Sequence, residues 1–293
     1  MSYVIATDTS ANLPTREAVR RNILVVPFSY FIDGHEFSCT DTEAFDARSF
    51  YHAMREKTEV STSLINIHRY LEYFEPVLAA GQDLLYIGMS SGISGAYAAA
   101  AAAAEQLREK YPQRRIFTVD TLSASLGEGL QVLHAADCRD EGMELEPLAE
   151  SLMRERSRMC QIFTVDDLMF LRRTGRVSTV KAVVGTVLNI KPLLKGDENG
   201  KILVHGNARG QQRALRALAE EYRTSVVDPE KQIVGIAHAD CLVSAVQLQR
   251  LICEEKPPKD VMIVDYEPVT GSHVGPGALA LFFMGEEGFR SRK

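Results

Sequence analysis

The sequence predicts an α/β chain organised as two domains, and three observations predict it. Strand-like apolar runs at residues 3–6, 84–88 and 115–120 each lead into a polar small-residue turn and then a helical stretch, the signature of a parallel, doubly wound sheet. The length of 293 residues is enough for two cores. From Gln161 the texture changes, with hairpin signals and a basic helix replacing the regular alternation, so a boundary is expected after the mixed-charge helix 145–158. The expected domains are 1–158 and 159–293.

The elements follow in order. Strand 3–6 ends in Thr7-Asp8-Thr9-Ser10-Ala11-Asn12 and leads through Pro14 into a helix reaching Arg21. Asp8 at a strand end either caps neighbouring N–H groups, the commoner role, or reaches a ligand or metal. The run 23–32 is interrupted by Pro27, as in an edge or bent strand, and Asp33-Gly34 turns it into a hairpin closed by Phe37. A helix over 45–55 precedes Val60-Ser61-Thr62-Ser63, read as a hydroxyl-rich loop, and a helix over 66–80. Strand 84–88 feeds Ser90-Ser91-Gly92-Ile93-Ser94-Gly95 and a helix with seven consecutive alanines, Ala98 to Ala104. Strand 115–120 feeds a second small-residue loop, 121–127, and a helix to Asp137.

Strand 162–165 opens the second half, and a helix from Leu168 ends in Arg172-Arg173-Thr174-Gly175-Arg176. Residues 180–190 are apolar on most faces, as in a helix lining a cavity or core, and Lys191-Pro192 stops it. Asp197-Glu198-Asn199-Gly200 is a hairpin turn, and Ala208-Arg209-Gly210 precedes a basic helix over 211–223. Strand 233–238, helix 243–252 and strand 261–265 follow. Thr270-Gly271-Ser272-His273-Val274-Gly275-Pro276-Gly277 reads as a glycine-rich turn before the apolar run 278–283, and the polar tail 285–293 is expected to fray.

Composition narrows the function. A net charge of −6 and a pI near 5.7 argue against a general nucleic-acid surface. The five cysteines are odd in number and scattered, without a CxxC pair or a metal-ligand spacing, as thiols of a reducing compartment would be. No basic segment followed by an apolar stretch opens the chain, and no run approaches the ~20 apolar residues of a membrane helix. The expectation is a cytoplasmic protein without stable membrane insertion.

Two segments can carry chemistry. At the carboxyl end of a sheet strand, the loop 90–95 offers free N–H groups, a helix dipole and the hydroxyls of Ser91 and Ser94, which together favour an anion. The same residues also suit an ordinary N-cap followed by a small-residue helix packed close to its sheet. His273, set among three glycines and a proline, is either a structural histidine or a group at a ligand. No P-loop, metal cluster or nucleophile–base pair is present among the readable motifs.

Spread in order along the chain, the segments Ala6-Thr7-Asp8-Thr9-Ser10-Ala11, 90–95, 119–127, 168–178 and Gly275-Pro276-Gly277-Ala278-Leu279 resemble the DegV family of bacterial fatty-acid-binding proteins. The resemblance implies a three-layer α/β/α parallel sheet in the N-terminal domain, a mixed sheet in the C-terminal α/β domain, and one long-chain fatty acid held between them. It implies no independent catalysis and no cofactor or metal, the fatty acid being a ligand. Its partner would be an ATP-dependent fatty acid kinase subunit that converts the carboxylate to acyl phosphate, a role in phospholipid metabolism. Carried over residue by residue, the carboxylate site falls on Thr62, Ser63, Ser94, Gly95 and His273, and the partner surface on Arg173, Arg176 and Arg209. Leu64-Ile65-Asn66 departs from the Gln-Pro-Ser common in the family at these positions, and Thr174 from a frequent glycine.

The alternative is a domain resembling the substrate domain of dihydroxyacetone kinase, which would hold a small carbonyl compound through His273 or His238. A third reading is a regulatory or scaffold protein whose lipid is structural.

Overall fold

The computed structural model describes residues 3–177 and 189–292. The chain forms two compact units, Met1–Phe45 with Glu59–Arg156, and Asp46–Thr58 with Ser157–Lys293. The third crossing, at Arg156, falls close to the end of the expected N-terminal segment 1–158. Asp46–Thr58, sequentially in the first half, packs with the second unit.

The first unit opens with β1 (Tyr3–Asp8), α1 (Thr15–Arg20), β2 (Ile23–Val26), β3 (Ser29–Ile32) and β4 (His35–Ser38). After α2 (Ala47–Arg55), which belongs to the second unit, the first unit resumes with β5 (Val60–Ser63), α3 (Ile67–Ala79), β6 (Asp83–Gly88), α4 (Ala96–Lys110), β7 (Ile116–Asp120), α5 (Leu126–Asp140) and α6 (Leu145–Glu155). Its main sheet has the order β2-β1-β6-β7, and every pair is parallel. Consecutive residues Leu84, Leu85, Tyr86 and Ile87 of β6 are all fully buried, so both faces of the sheet are covered. One layer is the pair α3 and α4, the other the pair α5 and α6. Ala96, Ala100, Ala103, Ala104 and Leu107 form the buried face of α4, where the small side chains let the helix approach its neighbours closely.

Pro27 marks a change of sheet. Its upstream half, β2, is the edge of the parallel sheet, whereas β3 belongs to a separate antiparallel sheet of order β4-β3-β5. Asp33 and Gly34, with φ of 47° and 81°, make the expected hairpin turn. The run 60–63, expected as a loop, is instead strand β5, paired so that Thr62 lies opposite Tyr30.

The second unit continues with β8 (Met159–Thr164), α7 (Met169–Arg173), β9 (Ile190–Gly196), β10 (Ile202–Arg209), α8 (Gln211–Ser225), β11 (Ile233–His238), α9 (Leu242–Glu255), β12 (Asp260–Asp265), α10 (Pro268–Val274) and β13 (Leu279–Met284). The mixed sheet runs β10-β9-β8-β13-β11-β12, in which β11 and β12 are parallel and the other neighbouring strands antiparallel among the described residues. Its core joins Leu215, Leu218 and Tyr222 of α8 and Leu248 and Ile252 of α9 to Ile162, Ile236, Leu281 and Phe283 of the sheet.

Three expectations change here. Most of the run 180–190 lies outside the described residues, and Lys191 and Pro192 lie in β9 rather than ending a helix. Pro192 is tolerated because pairing between β9 and β8 reaches no further than Leu193, so the missing N–H breaks no bond on that side. The glycine-rich stretch before residue 275 is helical, forming α10. The tail is docked rather than frayed: Phe289 and Arg290 are buried, Arg290 donates to the Met159 carbonyl from Nε at 3.0 Å and Nη2 at 2.6 Å, and Lys195 donates to the carbonyls of Phe289 and Arg292.

Candidate functional site

Because the main sheet of the first unit is parallel, β1, β6 and β7 all deliver their loops to one end. Ser94 lies in the loop after β6, partly buried. Its Oγ accepts from the Ala96 N–H at 3.2 Å, which leaves the hydroxyl proton without an acceptor among the described residues. The N–H groups of Gly95, Tyr97 and Ala98 at the start of α4 likewise have no acceptor there, and Gly95 is exposed. The loop therefore presents donors and the positive end of a helix dipole outward.

Ser91 is different. Its Oγ donates to Asp120 Oδ2 at 2.6 Å, while Asp120 Oδ1 accepts from the N–H groups of Ser91 and Leu122. Arg156 donates to the Asp120 carbonyl at 2.7 Å. Asp120, at the end of β7, thus anchors the loop and takes up the Ser91 hydroxyl, removing Ser91 from the expected anion donors. Asp120 was legible as a carboxylate at a strand end, but not its target on another loop.

Thr62 and Ser63 lie at the end of β5, the first partly buried and the second exposed. A side chain added at Gly95 would come 3.7 Å from Leu64 Cδ2, so the segment leaving β5 lies against the loop that carries Ser94. The departure Leu64-Ile65-Asn66 has a structural meaning. Leu64 stands half-exposed beside Gly95, Ile65 is buried, and Asn66 caps α3 through its Oδ1 and the Arg69 N–H at 2.9 Å.

A buried polar layer lies at the same end of this sheet. Asp8 accepts from the Ser10 N–H at 2.9 Å, from the Ser10 hydroxyl, and from the Tyr86 hydroxyl at 2.7 Å, and Tyr86 pairs with Tyr70 at 2.8 Å. The Ser10 hydroxyl also lies 2.8 Å from Glu128 Oε2, and Thr7 donates to Glu128 Oε1 at 2.9 Å. Burial raises the Asp8 carboxyl above its ordinary value, and the bonds from Ser10 and Tyr86 oppose that shift. Asp8 caps the turn Thr9–Ala11, the commoner role for a carboxylate at a strand end.

In the second unit, His273 occupies the last turn of α10, whose first turn is capped by Glu267 accepting from Val269 and Thr270 at 2.6 Å. Burial, with a smaller contribution from the positive charge of Arg176, pushes the His273 imidazole down to about 4, so the ring is neutral at pH 7. Arg176 is itself partly buried and donates to the Thr174 carbonyl at 2.5 Å. No carboxylate among the described residues lies within ion-pair distance of it. The positive charge of Arg176 is thus felt at His273, which sequence spacing gives no reason to expect. Arg173 is exposed, its guanidinium over the Phe170 ring at 4.9 Å. Val177 bridges Ile202 at one end of β10, whereas Arg209 closes the other end, seven residues and about 23 Å of extended strand away. The strand thus separates the segment that ends in Arg176 from Arg209.

His238 is buried, with Nδ1 3.1 Å from Asp265 Oδ1 across the parallel pair β11 and β12. Burial lowers its affinity for a proton, and Asp265 opposes that. Among the described residues, no group of three or more His, Cys, Asp or Glu could hold a metal ion, and no helix is long and apolar enough to cross a membrane.

Comparison with known proteins agrees with this architecture. A DegV domain-containing protein of Clostridium perfringens is 36% identical over 284 residues, covering 97% of this chain and 98% of the relative. Among solved structures, a DegV family protein from Thermus thermophilus, described by its fatty acid binding, superposes with a TM-score of 0.86 at 26% identity, covering 96% of this chain and 99% of that one. A fatty acid binding DegV family protein from Streptococcus agalactiae gives 0.84 at 27% identity, covering 96% and 98%. The family described as "Uncharacterised protein, DegV family" matches residues 2–286, and with that span, the shared fold and the end-to-end relative, this chain belongs to the DegV family.

Proposed function

We propose that this protein binds one long-chain fatty acid and presents its carboxylate to a separate ATP-dependent kinase subunit for conversion to acyl phosphate. The observation that carries the reading is Ser94, a hydroxyl with an uncommitted proton beside open helix N–H groups, in a chain similar to the fatty-acid-binding DegV proteins of T. thermophilus and S. agalactiae. Thr62 and Ser94 of the first unit are the proposed hydroxyl donors, with Ser63 and Gly95 beside them and His273 of the second unit as a neutral donor. Donors are required because a carboxylate taken out of water unsatisfied costs well above the ~1–3 kcal/mol of a neutral group. Burial of the acyl chain at ~0.8 kcal/mol per methylene supplies most of the affinity, less the cost of association.

The exposed guanidinium groups of Arg173 and Arg209 suit engagement of the kinase subunit. Arg176, half-buried and with its charge felt at His273, fits charge compensation near the carboxylate better than a role on the outer surface. In this reading the chain itself is non-catalytic. The alternative through His238 is disfavoured by the burial of that ring against Asp265.

Mass spectrometry of the organic extract of purified protein tests the reading. A fatty acid is expected in the extract, and the stripped protein is expected to rebind it, with Ser94→Ala weakening retention about fivefold. An extract without lipid, together with stripped protein that fails to bind added palmitate, would falsify the proposal.

A further inference from the structure

His273 lies between two glycines, and each is packed against an aromatic side chain from a different helix. A side chain at Gly271 would overlap the Tyr51 hydroxyl and come 3.0 Å from Tyr51 Cζ. Tyr51, in α2, is fully buried and donates to the Tyr266 carbonyl at 2.7 Å, a bond spanning 215 residues of sequence. Gly275, at φ 78°, ends α10, and a side chain there would come 2.7 Å from Phe170 Cγ and 2.8 Å from Phe170 Cε2. α10 packs against both α2 and α7.

An isolated helix of seven residues does not hold its own shape in water, so the direction of a side chain in its last turn must come from packing. Removing the Cβ atoms two residues before and two residues after His273 lets both aromatic side chains reach the backbone. Resting on the reading of His273 as a carboxylate donor, we infer that Tyr51 and Phe170 are its positioning residues, clamping α10 so that the imidazole is offered to the ligand in one orientation. Tyr51 holds the entry and middle of α10 through Tyr266 and Gly271, and Phe170 holds its exit. Phe170 also carries the Arg173 guanidinium, so one ring orders both the His273 segment and that arginine.

The test measures palmitate dissociation and the imidazole Cε1–H resonance of His273 by NMR, with thermal unfolding as a control for intact fold. Tyr51→Phe removes a single hydroxyl and is expected to move the His273 resonance and speed palmitate release about fivefold. In a His273→Ala background the same substitution is expected to add nothing. Gly271→Ala is expected to be the more disruptive change, and Tyr51→Phe combined with it to recover part of the loss, because the atom that the new methyl group meets is then gone. Phe170→Leu, which keeps apolar volume, is expected to shift the same resonance. The clamp is overturned if Tyr51→Phe and Phe170→Leu leave the resonance and the release rate unchanged, or if the Tyr51→Phe effect persists in full without His273. A wild-type protein that binds no palmitate refutes the fatty-acid reading instead, and the NMR arm then decides the clamp by itself.

Discussion

At His273 the decisive quantity is charge. Burial and the neighbouring Arg176 hold the imidazole at about 4, so in the ligand-free protein it donates or accepts as a neutral ring throughout the physiological range. Because the folded-state value is depressed, the group favours folding while it is neutral, and that contribution is lost as pH falls from the ordinary histidine value through about 4. A carboxylate bound beside the ring would favour its protonated form and raise the value. NMR titration should therefore place His273 near 4 without ligand and higher with palmitate bound. Arg176→Gln should raise it in the free protein. An unchanged titration in both comparisons would remove His273 from the neighbourhood of the carboxylate and of Arg176. Residue type alone singled out Ser94 and His273, since a hydroxyl at a helix entry and an imidazole among glycines are locally conspicuous. It could not separate Ser94 from Ser91, because the Asp120 carboxylate that occupies Ser91 arrives from another strand. Nor could it show that the Arg176 charge acts on His273, which depends on how the segment after α7 folds near α10.

Among the elements, the loops show which small residues are required and which are merely present. Gly95 has room, with Leu64 Cδ2 at ordinary contact distance from an added side chain, so Gly95→Ala should unfold in urea at about the wild-type midpoint. Gly129 in α5 does not, since its Cβ would press on the Ala11 carbonyl and lie 2.9 Å from Leu13 Cδ2. Gly129→Ala should lose about 1–3 kcal/mol of stability in the same measurement, the range of overpacking. Equal midpoints for the two variants would show that α5 can move away from the turn 9–11, contrary to the packing described. Most helices and strands were readable from periodicity, including the alanine helix. The exceptions share a cause. β5 has no apolar alternation of its own and exists because β3 pairs with it, and α10 contains glycines that a short peptide would not keep helical.

For the molecule as a whole, long-range ties override local composition. The polar tail, unremarkable as sequence, is held by Arg290 on the Met159 carbonyl and by Lys195 on the carbonyls of Phe289 and Arg292. Arg290→Ala should cost about 2 kcal/mol in equilibrium unfolding, because it strips a buried carbonyl of its donors. A midpoint equal to wild type would mean that the tail contributes nothing to the second unit. The same principle assigns α2 to that unit, where Tyr51 bonds to Tyr266, although the chain before and after it folds with the first. By itself the sequence determined the α/β class, the two-part organisation, the order of most elements and the residues able to bind an anion, because periodicity, turn chemistry and functional-group type are local properties. Tertiary structure alone decided that residues 60–63 are a strand, that Ser91 is spent on Asp120, that the Arg176 charge acts on His273 and that the tail is docked. Each of those outcomes depends on a partner distant in sequence, whose proximity no local pattern encodes.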